Sequence, residues 1–154
     1  NIMQAAQNTF ISSTFWTERI GPTAALKTLE VMEKTKSWLT ITEQGNKIKE
    51  GWKELARKNG LDIELSGISA LSCFAVRSQN SLKYKTYITQ EMLKMGYLAG
   101  TSCYVCTRHT DKIIEKYLQC LDKVFKVISE CEDGRNVEDI LEGPVCHSGF
   151  KRLN

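Results

Sequence analysis

The hydrophobic period of this chain switches back and forth along its length, and that succession limits the fold more than any single motif. Apolar Ala25, Leu29 and Met32 recur at helical spacing behind Pro22, which suits a first helical position, so a helix is expected from Pro22 to about Lys36. A second stripe, Ile41, Ile48, Trp52, Leu55 and Ala56, has Lys and Glu on the opposite side. It predicts a helix from about Leu39 to Lys58 that stops at Asn59-Gly60, where glycine takes the left-handed conformation. The period then shortens. "LDIELSG" alternates apolar and polar residues, and "ISALSCFAVR" is a mostly apolar run suited to a strand buried on both faces; as close neighbours the two should pair antiparallel.

Helical spacing returns from Lys83 to Met95 and ends at Gly96, and "YLAGTSCYVC" reads as a third strand. Thr110 suits the N-cap of a long helix whose stripe is Ile114, Tyr117, Leu118, Leu121, Val124, Phe125 and Ile128. From Glu132 the tail is mixed and loop-rich. This order predicts an α+β fold with helices on one face of a small, mainly antiparallel sheet.

At 154 residues the chain has the size of one ordinary domain and can bury a core without disulfide or metal staples. Basic residues number 21 against 18 acidic, spread among one another along the helices, so no nucleic-acid footprint is indicated. The longest apolar run is too short and polar to span a membrane, and no charged-then-apolar leader opens the chain, which fits a cytoplasmic protein. Cys73, Cys103, Cys106, Cys120, Cys131 and Cys146 lack the density of a secreted disulfide framework and are read as reduced thiols. The chain opens without Met at "NIMQAAQ", as a segment cut from a longer protein would.

Several residues invite a chemical reading. Ser12, Ser13 and Thr14 lie between aromatic residues just ahead of the first helix; they make either an ordinary polar loop or a site for a phosphate, since helix starts and small polar loops present unpaired donors to anions. "CYVC" followed by His109 spells a zinc-like spacing, yet on a strand Cys103 and Cys106 point to opposite faces and cannot close on one metal. His109 belongs most simply to the turn before the last helix, where Thr110 caps and Asp111 favours the helix dipole. Trp52 falls on a core stripe, whereas Trp16 sits in the polar loop. Arg19 and Arg77 are candidate anion partners whose plainer role is a solvated surface.

Three segments, "SSTFWTERIGPTAALKTLEVM", "LKMGYLAGTSCYVCTRHTDKIIEKYL" and "GPVCHSGFKRL", in this order, resemble the C-terminal part of the class III, fold-type I aminotransferases that use pyridoxal 5′-phosphate (PLP), especially the glutamate-1-semialdehyde aminomutase-like branch. The resemblance implies that residues 1–36 close the large cofactor domain with an interface loop and helix. Residues 37–131 would then form the small C-terminal domain, helix-β-β-α-β-α, and residues 132–154 a tail. It further implies a homodimer in which Ser13 and Thr14 contact the PLP phosphate of the neighbouring subunit.

The lysine that binds PLP and shuttles the proton, and the aspartate that pairs with the pyridine nitrogen, would lie upstream of Asn1 in a large domain of the same protein. Small-molecule amino donors and aldehyde or keto acceptors would be the substrates of that parent enzyme. Two departures, Thr17-Glu18-Arg19 in place of Gly-Asn-Pro and Thr101 in place of a glutamate, point away from aminomutase activity and toward transamination. A stand-alone α+β binding module is the alternative, separable by the length of the native gene product.

Overall fold

The computed structural model describes residues 18–149 together with Ile2 and Gln4, and the chain divides into two compact units, Asn1–Ser37 and Trp38–Asn154. In the first unit the described element is helix α1, Ile20–Thr35, which has no buried residue of its own. It begins two residues before the expected start. Pro22 therefore occupies the third helical position, which is equally tolerant because that N–H has no partner within the helix. Lys36 closes α1 in the left-handed conformation, φ 48°.

The second unit carries helix α2, Ser37–Lys58, which extends one residue into the first, and then strands β1, Ile63–Ser66, and β2, Leu71–Val76. Helix α3, Ser81–Lys94, strand β3, Ser102–Tyr104, and helix α4, Asp111–Glu132, follow, with a 3-10 turn at Val137–Ile140. The end of α2 is closed by two crossed hydrogen bonds, Leu61 N–H to the Ala56 carbonyl at 2.9 Å and Gly60 N–H to the Arg57 carbonyl at 3.4 Å. That pair needs Gly60 at φ 67°, which is why the helical stripe stops there. Gly45 has a different reason: a Cβ there would overlap the carbonyl of Ser69, so glycine lets α2 approach the β1–β2 turn.

The sheet has the order β1-β2-β3, both pairs antiparallel, with Ile63 opposite Val76, Leu65 opposite Phe74 and Ser72 opposite Cys103. Ser72, Phe74 and Val76 are buried, whereas Leu71 and Cys73 are half-buried and Ala75 is exposed. The expectation that β2 would be buried on both faces is thus corrected. The helices cover a single face, and an antiparallel sheet of this kind leaves the other to solvent.

The core lies between that face and the three helices, with Trp52, Tyr84, Ile88, Met92, Leu121, Phe125 and Ile128 fully buried. Phe74 sits at its centre, its ring centroid 4.7 Å from Trp52 and 5.7 Å from Phe125, in the tilted and edge-on arrangements that aromatic quadrupoles favour. The tail is more ordered than its composition suggests. Gln90 of α3 donates to the Ile140 carbonyl at 2.9 Å and accepts from Glu142 N–H at 2.8 Å, Lys94 pairs with Glu142, and Cys146 N–H reaches the Thr86 hydroxyl, so the tail is strapped across α3.

Candidate functional site

Two places can be weighed as sites, and they differ in what they leave free. At the start of α1 the Glu18 carboxylate accepts hydrogen bonds from the N–H groups of Ile20 and of Gly21, the latter at 3.0 Å. Pro22 has no N–H, and Thr23 N–H donates to the Arg19 carbonyl at 3.0 Å. The Ile20 and Gly21 N–H groups at the helix start are therefore already taken by an anion, the chain's own Glu18. Ser13 and Thr14, the residues expected to contact a phosphate, lie outside the described residues, as does Trp16.

The second place is a cleft of about 540 Å³ in the larger unit. Its floor is Ile48 of α2 with Ile114 and Tyr117 of α4; one wall is the segment from Gly96 to Ala99, the other is β3. Trp52 Nε1–H donates to the Tyr117 hydroxyl at 2.9 Å, and the Tyr97 and Tyr117 rings meet edge-on at 6.0 Å. Burial pushes the Tyr97 and Tyr117 phenols and the Cys103 thiol up, so all three remain protonated near neutral pH. No lysine, arginine, aspartate or glutamate is among the side chains that line the cleft. Such a lining can hold apolar or aromatic groups and supplies no acid–base pair.

The other sequence candidates are accounted for locally. Cys103 sits on β3 and Cys106 lies exposed beyond its end, where its N–H donates to His109 Nδ1 at 3.3 Å; His109 N–H in turn reaches the Cys106 carbonyl. His109 is thus tied into the turn before α4. Among the described residues no three His, Cys, Asp or Glu side chains gather as a metal site. Thr110 has the extended backbone of an N-cap but makes no side-chain cap bond; Asp111 pairs instead with Lys47 at 2.8 Å.

Arg77 is engaged at the strand end by Glu64 at 3.6 Å and Asp62 at 3.9 Å. Thr101 contributes its carbonyl to Phe74 N–H. The role of Glu18 was missed because the helix was expected to begin at Pro22. A carboxylate two residues ahead of Ile20 was the available signal.

No family model matches the chain. The chain is 25% identical over 135 residues to the 3-aminobutyryl-CoA aminotransferase of Cloacimonas acidaminovorans, covering 80% of this chain and 32% of that protein. It is 22% identical over 121 residues to the glutamate-1-semialdehyde 2,1-aminomutase of Thermodesulfovibrio yellowstonii, covering 70% of the chain and 28% of the relative. In structure it matches the FumI protein of Sphingopyxis sp. MTA144, solved in its PLP internal aldimine form, with a TM-score of 0.72 and 18% identity over 90% of this chain and 34% of that one.

The likeness is to the class III aminotransferases. The α+β architecture is that of the small C-terminal domain of a fold-type I PLP enzyme, as the motifs imply. The chain spans about a third of the length of the curated relatives that it matches.

Proposed function

We propose that this chain is the C-terminal portion of a PLP-dependent aminotransferase, an enzyme that moves an amino group between a small-molecule donor and an aldehyde or keto acceptor. What supports the reading is the coincidence of sequence relatives and fold over the same greater part of the chain. Residues 1–36 end the large domain and residues 37–131 form the small one, with the tail from 132 strapped over α3. The parent works as a homodimer, with Ser13 and Thr14 at the PLP phosphate of the neighbouring subunit.

The described residues do not by themselves fit PLP. The Ile20 and Gly21 N–H groups at the start of α1 are taken by Glu18. An amine that captures a carbonyl cofactor needs a lowered pKa, yet Lys47 and Lys94 are shifted upward, by Asp111 and by Glu142 respectively. On this reading the PLP-binding lysine and the pyridine partner belong to an upstream large domain, and this chain alone is inactive. PLP, when bound there, supplies the electron sink for the transfer.

The test is borohydride reduction of the native gene product with PLP, followed by peptide mapping. One labelled lysine outside residues 1–154 is expected. Stoichiometric labelling of a single lysine within them, with turnover of an amino donor by this chain, overturns the reading.

A further inference from the structure

β3 lies at one edge of the sheet, and among the described residues no strand pairs with its outer side. Phe74 N–H donates to the Thr101 carbonyl and Val105 N–H to the Ala70 carbonyl, with Ser72 opposite Cys103. The positions that face β2 are therefore Thr101, Cys103 and Val105. In an antiparallel ladder the intervening residues turn their N–H and C=O groups the other way. Ser102 and Tyr104 thus present two donors and two acceptors to the outside.

The cleft lies along this edge. Its lining includes Ser102, Cys103 and Tyr104 together. Successive strand residues point to opposite faces, so a cleft that touches all three runs beside the strand rather than over one face. Its rim carries apolar side chains that water surrounds: Leu98 is 97% exposed, Tyr104 76% and Ile113 45%. Open edges flanked by apolar surface are what natural proteins cover. The β1 edge differs, for it is guarded by Asp62, Glu64 and Arg77.

We propose that the β3 edge takes an extended apolar segment as a fourth strand, and that the segment comes from the remaining part of the longer protein; this rests on the reading above that the chain is one portion of an aminotransferase. The backbone of Ser102 and Tyr104 recognises the segment's backbone, and the cleft receives its alternate side chains, which are uncharged because the cleft offers no counter-charge. An added strand satisfies the outward groups in the way that edge-strand recognition does generally. β3 is about 10 Å long, so the pairing involves about three residues. The relatives leave ample chain for this, since the aligned region is 28–34% of their length.

The experiment is hydrogen exchange at the Ser102 and Tyr104 amides, in this chain and in the native longer protein, with bound PLP quantified on the same sample. Exchange tenfold or more slower in the longer protein, independent of protein concentration, is expected. Tyr104→Pro in the longer protein should then return Ser102 to the rate of the short chain, because it removes an outward N–H and leaves the β2 ladder intact.

Equal exchange in the two proteins overturns the proposal, and if PLP is present it leaves the aminotransferase reading standing. Protection that disappears on dilution assigns the edge to a second copy and also overturns it. A native product no longer than this chain removes both readings.

Discussion

Replacing Tyr117 by Phe tests whether the hydrogen bond between Trp52 and Tyr117 helps to hold the aromatic centre of the larger unit. The indole N–H of Trp52 is on a fully buried side chain and donates to the Tyr117 hydroxyl at 2.9 Å. Tyr117→Phe keeps the ring and its edge-on contact with Tyr97 but strands that N–H without an acceptor. Leaving a buried donor unsatisfied costs about 1–3 kcal/mol. For a unit of this size, roughly 4 °C in Tm per kcal/mol, the loss is about 4–12 °C.

The assay is thermal unfolding followed by circular dichroism, with Tyr104→Phe as the control. That hydroxyl is on a side chain 76% exposed and faces water, so its removal should leave Tm unchanged. Trp52→Phe is a poorer probe, because it also deletes buried ring volume and adds a cavity term. A fall of less than about 2 °C for Tyr117→Phe would refute the reasoning, since water would then be reaching the indole.

Gly45→Ala should lower stability despite alanine's better helix propensity, because the new Cβ collides with the rigid Ser69 carbonyl; overpacking of this kind costs about 1–3 kcal/mol against a gain of about 1, and urea midpoints measure the balance. Thr14→Val in the longer protein should weaken PLP retention by about tenfold to a hundredfold, the equivalent of a hydrogen bond to a charged phosphate, and unchanged retention would dismiss the phosphate role. Alkaline pH should destabilise the fold. Burial, followed by the Glu132 hydrogen bond, pushes Tyr84 up to about 12, so the fold holds this proton more tightly than the unfolded chain does. The resulting stability is complete below about pH 10 and is lost as pH rises toward 12, which Tm and phenolate absorbance can follow together.

The element order was legible because each element carries its own period: α4 keeps its stripe from Ile114 to Cys131, and the glycine after α2 is needed for the hydrogen bonds that end it. Boundaries were less legible where a side chain, rather than a pattern, decides them. Glu18 moves the start of α1 ahead of Pro22, and no periodicity reports a carboxylate folding back on two N–H groups. The apolar run of β2 concealed a one-faced strand, because whether a second layer exists is decided by distant elements. The cleft was invisible for a related reason. Tyr97 lies in the segment before β3, Tyr104 on β3 and Tyr117 on α4, and only the antiparallel placement of β3 beside β2 brings them around one space.

Trp52 and Tyr117 are 65 residues apart, and α4 supplies Leu121, Phe125 and Ile128 as well. On a ribosome adding about 5–20 residues per second, the indole emerges on α2 roughly 3–13 s before the helix that covers it. During that interval α2 can pack, among the described elements that follow it, against the β1–β2 hairpin and α3 alone, since β3 and α4 are still to be made. Chaperone demand during synthesis should therefore be concentrated on the stretch around Trp52, and codon choices that slow translation between α3 and α4 should lengthen the exposure and raise the insoluble fraction.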